Sequence, residues 1–564
     1  MNESAAPDVQ FEHFYSYEEI DGFLRALANA FPDLCRVGSI GQSLEGRDIH
    51  LLTLTDFTSG RPEERPGYVI HAGIHAHELA SAHAALNIAK RLLENRAHHG
   101  LLNRVTFFIL PRLSPDSSEF CLRTSTRIRS RTDFCNRDSN TVYPEDINDN
   151  GQILTIRQEH PDGEFVADSA DLRLLVQRRS DSPGPYYRTF PEGYIHDWDG
   201  VDRIRVAGFD AFLTHRPDLT AGKSFDWNRN WSYGWRPESE QQGAGDFPFS
   251  ELAMRQFVEF LHRYPKIFGM VGYHCGHPSI IRPPASVSSD ELDADDEIAL
   301  EELAQLGAQF TGFPALPLVK MHWAGRRDRG KGGHSLDFTY QHLGLLTVEI
   351  ELGTVMNAAG LTTENYLSWT SRADEEGWMR RLMQWWDRGG HRHPLFEPWQ
   401  PYEHPQLGNV EIGGFLYTVL DNPLLRELPP TLEAAYQFTI AHASKHPWVV
   451  VEDFDIQRFD DSVYRIRMRV ANRGDLPTHL TNKGKSLRRL RPVAARFTPA
   501  HGVTMLSAAE SQELGHLAAV TGSQIVEWFV SAPQESGTDT QILGELYISG
   551  STGSDIKRTV EASC

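Results

Sequence analysis

The chain has 564 residues and sets 55 Lys and Arg against 76 Asp and Glu, a formal charge of −21. That balance argues against nucleic acid as the main partner, because counterion release needs a basic footprint that the chain as a whole lacks. Its 40% apolar and 23% charged content is ordinary for a globular protein, its length predicts more than one domain, and no apolar run approaches the roughly 18–20 residues of a spanning helix, so no membrane partner is expected.

In chain order, Asp48 to Thr55 and Tyr68 to Ala72 are short apolar runs rich in β-branched residues. Leu79 to Leu93 carries apolar residues at helical spacing, and Arg104 to Leu110 is another buried-type strand. This β-β-α-β order predicts an α/β sheet with helices on its faces. Over residues 132–223 Asp, Asn, Gly and Pro dominate, and the stretch reads as a long insertion on the rim of the sheet. The pattern resumes with a helix over 250–262, a strand over 267–274, a helix over 296–310 and a strand over 345–352. An amphipathic helix, Thr363 to Arg388, closes the domain with Trp378, Leu382, Trp385 and Trp386 inward. The expected layout is one α/β domain over 10–390, a linker and helical connector over 391–446 with its helix at Thr431 to Ser444, and an all-β sandwich over 447–564. Alternating runs such as Val463 to Val470, Ile525 to Val530 and Ile542 to Ile548 carry the last of these.

Five cysteines, Cys35, Cys121, Cys135, Cys275 and Cys564, are scattered with no CxxC pair, so neither a disulfide framework nor a cysteine-based zinc site can be read. The N-terminus lacks the basic and apolar regions of a secretory signal, and the expected localisation is cytoplasmic.

His75 and Glu78, in Gly73-Ile74-His75-Ala76-His77-Glu78, are spaced i, i+3 at the end of a buried strand and can converge on one point of a helical turn. Imidazole nitrogen and carboxylate oxygen both suit zinc, and open α/β sheets place ligands at strand ends. Alone, an HxxE pattern is common by chance. His274, at a second strand end between Gly272 and Gly276, is the natural third ligand, although a lone histidine there is more often a hydrogen-bonded structural residue. Glu349 and Glu351 share one face of the strand Thr347 to Leu352 by period two, and burying both is costly unless a cation or a function accounts for them. The alternative is a solvent-facing edge strand, which fits poorly with Leu345, Leu346, Val348 and Ile350. In the insertion, Asp146, Asn148 and Asn150 with Gly151 follow the start of a calcium loop, but the twelfth position is Arg157 where a bidentate glutamate is needed. A tight Asx-rich turn is the preferred reading and a Ca2+ site the alternative.

GIHAHE at Gly73 to Glu78, SFDWNRNW at Ser224 to Trp231, GYHCG around His274 and TVEIELG around Glu351, with GQSLEGRD at Gly41 to Asp48, together resemble the zinc carboxypeptidase family, the M14 metallopeptidases related to carboxypeptidase A. The order and approximate spacing agree over residues 10–390. The resemblance implies a mixed β-sheet with helices on both faces and one Zn2+ per chain held by His75, Glu78 and His274. That ligand set is carboxypeptidase A's own and is inherited here rather than predicted. It implies Glu351 as the general base, chosen over Glu349 because Gly344 lies seven positions before it, and puts Glu349 at the floor of the specificity pocket. Asn228 and Arg229 match the pair that grips the substrate's terminal carboxylate, for which a guanidinium fork is suited. Without the other motifs they would read as a surface turn.

An arginine for the oxyanion is expected after the Pro115-Asp116-Ser117 turn. Arg127, Arg129 and Arg131 are in range, and spacing favours Arg129. Two features bear on specificity and conflict: Glu349 favours a basic terminal residue, Leu336 an apolar one. The family's lid tyrosine has no counterpart, and the stretch Arg326 to Lys331 is basic instead. Val410 to Gly414 and Val470 to Thr478 resemble the immunoglobulin-like C-terminal extension of some bacterial members, whose default role is packing or oligomerisation. The function implied is a zinc-dependent carboxypeptidase acting on a peptide or acyl-amino acid with a free carboxylate. The alternatives are a zinc amidase or deacylase on small carboxylate-bearing substrates or γ-glutamyl peptides, and a non-catalytic binding module on the same scaffold.

Overall fold

The computed structural model describes residues 6–132, 137–207, 220–221, 224–321, 330–368, 372–389, 391, 393–460, 462–533 and 540–563. Arg326 to Arg329 of the basic stretch, and parts of the insertion, lie outside the described residues. The core is an eight-stranded sheet built from β1 (Cys35–Gln42), β2 (Asp48–Leu54), β3 (Gly67–Ala72), β4 (Thr106–Leu110), β5 (Ile267–His274), β6 (Ser279–Arg282), β7 (Ala315–Pro317) and β8 (Leu346–Glu351), in the order β1-β2-β4-β3-β5-β8-β6-β7. β4, β3, β5 and β8 run parallel to their neighbours within this central group. The β1–β2, β2–β4 and β8–β6 pairings are antiparallel, so the sheet is mixed. Every residue of β3, β4 and β5 is buried, which is why these segments are nearly continuous apolar runs: helices cover both faces and no strand side is free for polar residues.

Among the described residues, the longer helices packed on this sheet are α1 (Tyr17–Ala30), α2 (Ser81–Glu94), α3 (Leu252–Arg263), α4 (Ala294–Thr311), α5 (Ser335–Leu343) and α6 (Leu428–Ser444). α1 is started by a reciprocal capping box between Ser16 and Glu19. α6, expected in a connector, packs against α2, α4 and β5, and its Leu428, Leu432, Tyr436 and Phe438 join the main core. Two polar contacts tie it to the strands below: Tyr68 Oη lies 2.8 Å from His442 Nδ1, and Tyr273 Oη lies 2.9 Å from Thr439 Oγ1.

The insertion is folded. Its strands Thr155–Glu159, Phe165–Ala167, Leu175–Gln177 and Tyr186–Pro191 join a hairpin of Phe396–His404 and Gly408–Phe415 in a six-stranded sheet. Ile156, Phe190, Val410 and Ile412 lie in the core of that unit, and Arg157 Nε donates to Glu411 Oε2 at 2.7 Å across the join. The Asp146 loop is an Asx-rich turn. Gly151 N donates to Asp146 Oδ2 at 2.8 Å, Asn150 N to Asn148 Oδ1 at 3.1 Å and Gln152 N to Asn150 Oδ1 at 2.8 Å, so the oxygens a calcium ion would need face backbone donors, and the calcium alternative finds no support.

The single helix expected over 363–388 is two, Thr363–Leu367 and Arg372–Arg388. Leu382, Trp385 and Trp386 pack inward as expected, whereas Trp378 carries Arg381 over its ring. At the C-terminus, strands Val449–Arg458, Val463–Asn472, Thr504–Met505 and Ser523–Ser531 form one sheet and Val493–Pro499, Ser511–Gly515, Thr540–Ser549 and Ile556–Ser563 a second. The two close on a core that includes Trp528, Phe497 and Ile466, an all-β sandwich. No helix among the described residues is long and apolar enough to cross a membrane.

Candidate metal centre

The carboxyl ends of β3, β5 and β8 meet at one edge of the sheet. β3 stops at Ala72, and Gly73 follows with φ +63°. There a Cβ would stand 3.1 Å from Arg112 Cα, so the turn requires glycine. His75 and Glu78 sit in turns between Gly73 and the start of α2 at Ser81, not within the helix as their spacing suggested. Ser81 holds this loop, its Oγ accepting from Gly73 N at 3.1 Å and donating to Glu78 O at 2.6 Å. His274 is the last residue of β5 and stands in direct register with Glu351, the last of β8.

Three side chains converge. His75 Nδ1 lies 2.8 Å from Glu78 Oε1, His274 Nδ1 lies 2.9 Å from Glu78 Oε2, and the two Nδ1 atoms are 3.1 Å apart. The candidate ligand atoms all lie within 4.8 Å of one another, and all three residues are buried. Two ring nitrogens facing each other at that distance need a proton or a cation between them, and two imidazoles with a carboxylate are a donor set for zinc. The residues present therefore fit the metal that the family resemblance implies. Without metal the cluster is a tight ion pair. Burial raises the Glu78 carboxyl, but His75 and His274 outweigh it and hold it well below the usual range; burial lowers His274, but Glu349 and Glu78 push it well above.

Carboxylates also meet the outer nitrogens of both imidazoles. His75 Nε2 lies 3.3 Å from Asp226 Oδ1, and His274 Nε2 lies 3.5 Å from Glu349 Oε2. Of the three arginines in range, Arg129 reaches the cluster: Nη1 donates to Glu78 Oε1 at 3.0 Å and Nε to Asp226 Oδ2 at 3.2 Å. Arg127 pairs with Asp421 at 3.1 Å, and Arg131 pairs with Glu251 at 2.6 Å. Asn228 and Arg229 form a buried 3-10 turn whose N-cap Asp226 accepts from Asn228 N, with Arg229 Nη2 3.5 Å from Asp226 Oδ2. Asn228 Oδ1 is buried without a partner.

Glu351 is half-buried. Its Oε2 has no hydrogen-bond partner, and a Cβ on Gly276 would come within 2.6 Å of it, so the glycine leaves this oxygen its space. Burial, with Glu78 and Glu349 adding, pushes its carboxyl up to about 8 against the opposing pull of His274 and Arg129. Glu349, expected at the floor of the specificity pocket, is buried: Ser335 Oγ donates to its Oε1, and His334 Nε2 lies 3.8 Å from its Oε2. Leu336 is likewise internal, packed with Ile281, Ala285 and Leu318.

Several contributors had no clear signal in the sequence. Asp226 lay inside a recognised motif without a role of its own. Asn422 accepts from Ala80 N at 2.9 Å and donates to His77 O at 2.9 Å, gripping the ligand loop from far downstream.

Comparison with known proteins agrees with the geometry. The family model described as zinc carboxypeptidase matches residues 20–177 and 191–376, more than half of the chain, and a domain of unknown function matches 449–542. Carboxypeptidase B of Astacus astacus is 30% identical over 125 residues, 22% of this chain and 40% of that protein. Carboxypeptidase A4 of Mus musculus is 28% identical over 177 residues, 29% of this chain and 41% of that protein. The chain thus spans less than half the length of the curated relatives it matches. Among solved structures, carboxypeptidase A from Helicoverpa armigera aligns over 68% of this chain and 76% of that one at 15% identity, with a TM-score of 0.40. With its mixed sheet and the family match across most of the α/β domain, the chain belongs to the zinc carboxypeptidase family.

Proposed function

We propose that the protein is a zinc-dependent carboxypeptidase that cleaves the amide bond next to a free terminal carboxylate. The observation that carries the reading is the convergence of His75, Glu78 and His274, with Glu351 in register beside His274 and its Oε2 unpartnered. These three residues would hold one Zn2+, which when bound supplies Lewis-acid polarisation of the scissile carbonyl and lowers the pKa of a water. Glu351 is the general base: its Oε2 takes a proton from the attacking water and returns it to the leaving amine. Arg229 and Asn228 hold the terminal carboxylate and so fix which bond reaches Glu351. Arg129, already beside Glu78, presents positive charge where the carbonyl oxygen becomes negative.

The test is zinc content measured together with turnover of a panel of blocked dipeptides with basic, acidic and apolar C-termini, extended to N-acyl amino acids and γ-glutamyl peptides. One equivalent of zinc and cleavage of at least one class are expected, with Glu351→Gln lowering kcat on the order of 10²–10⁴-fold. Zinc binding without turnover of any of them would favour a binding module instead.

A further inference from the structure

We propose that Glu349 is a positioning residue for His274: its buried carboxylate takes up the outer imidazole nitrogen, fixing the ring so that Nδ1 is offered to the metal. The inference rests on the reading of His274 as a zinc ligand and replaces the role in substrate selection that the sequence suggested. Three observations carry it. His274 Nε2 is buried and makes no hydrogen bond, and it faces Glu349 Oε2 at 3.5 Å. Glu349 is buried, with its other oxygen accepting from Ser335 Oγ and with His334 Nε2 at 3.8 Å, so the carboxylate is held in place from behind. Gly272 lies opposite Glu349 in the β5–β8 register, two residues before His274 on the same face, and a Cβ there would stand 2.7 Å from the His71 ring and 3.0 Å from Glu349 Cγ, so the glycine leaves room for both side chains.

A charged carboxylate in an apolar strand is costly unless its partners compensate. Here the compensation comes from a hydroxyl and two imidazoles, one of which points its far nitrogen at the metal cluster. Partners of this kind select the tautomer of a ligating histidine, limit its rotation and raise its basicity. His75 has the matching arrangement with Asp226, so both imidazoles are backed by a carboxylate while Glu78 sits between them.

Full-length wild type, Glu349→Gln, Ser335→Ala, His274→Ala and Glu351→Gln are stripped of metal and titrated with Zn2+ against a chromophoric chelator. The visible spectrum with Co2+ and the melting temperature of each metal-free protein are recorded alongside. Glu349→Gln keeps the shape and loses the charge, and is expected to weaken zinc about 10–100-fold and to shift the cobalt band without lowering the metal-free melting temperature. Ser335→Ala moves affinity the same way by less, and supplies the answer if Glu349→Gln does not fold. Glu351→Gln leaves zinc affinity unchanged. Wild-type affinity and an unchanged cobalt band in both Glu349→Gln and Ser335→Ala overturn the proposal and leave the metallopeptidase reading standing. A lower metal-free melting temperature with an unchanged cobalt band identifies a purely structural carboxylate and overturns it too. Equal, weak binding by wild type and His274→Ala removes the metal reading itself, and this proposal with it.

Discussion

Asp226 touches three groups of the candidate centre at once: the outer nitrogen of His75, Nε of Arg129 and, at 3.5 Å, Arg229. Burial raises its carboxyl, but Arg229 and Arg129 outweigh that and hold it well below the usual range, so it stays charged and keeps all three aligned. Arg229 is the residue whose chemistry is hardest to replace. Arg229→Lys keeps the charge but loses the fork, and is expected to cost about 1.5–3 kcal/mol, roughly ten- to a hundredfold in kcat/KM on substrates with a free carboxylate. Amidated versions of the same peptides should show little difference between the two proteins.

Glu351 gives a pH signature. Its folded carboxyl lies at about 8, above the ordinary value of 4.5, so the folded state holds the proton more tightly than the unfolded one. Its contribution to stability is then full below pH 4.5 and is lost as pH rises through about 8. Melting of the metal-free protein between pH 5 and pH 9 should show this loss, and Glu351→Gln should flatten it. Wild type and variant falling in parallel would contradict the assignment. At this scale the sequence was informative where a motif places a residue at a strand end, as with His75, Glu78, His274 and Glu351. For Glu349 it was less informative, because period two tells which face a side chain takes and not what stands above that face. Gly272, Ser335 and His334 decide that, and they come from two other elements.

Elements read from local patterns were recovered when they bury both faces, as β3, β4 and β5 do, since unbroken apolar runs have few other readings. The insertion strands were invisible for the opposite reason. They are short and half polar, and their partners in 396–415 lie far along the chain, so nothing local announces a sheet. The helix at Thr431 to Ser444 was read, but not that it lies on β5 between α2 and α4. Just before α6, Asn422 makes the most consequential contact of its segment. Asn422→Ala leaves the Ala80 amide without its buried acceptor and frees the loop carrying His75 and Glu78. About 1–3 kcal/mol of destabilisation is expected, read as a lower denaturant midpoint with an unchanged slope.

Across the whole molecule, polar contacts join the β-sandwich to the α/β domain at several points, two of which involve buried or partly buried charges. Lys266 Nζ, beside β5, donates to Asp555 Oδ1 at 2.8 Å and to Ser551 O and Gly553 O at 2.8 and 3.0 Å. The buried Asp296 of α4 accepts from Asn482 N at 2.7 Å and Lys483 N at 2.9 Å, capping a short helix of the other domain, and also from Tyr340 Oη. Combining Lys266→Ala with Asp296→Ala should separate one calorimetric transition into two while leaving zinc content unchanged. A single transition in the double variant would mean that the remaining contacts, among them Thr481 Oγ1 to Gly344 O and Lys557 Nζ to Glu64 Oε1, suffice to couple the units.

The clamp formed by Asn422 also bears on when the centre comes into being during synthesis. Every proposed zinc ligand has been synthesised by residue 274 and the proposed base by residue 351, yet the loop bearing two of the ligands is pinned, and the sheet beneath it covered, only by residues 422–444. A nascent or clipped chain ending near Gly390 therefore carries the full chemical alphabet of the site without its closing brace. The proposed zinc affinity is therefore expected to arrive late, once residues 422–444 have folded onto the sheet, and a chain truncated near residue 390 should bind zinc more weakly than the full chain.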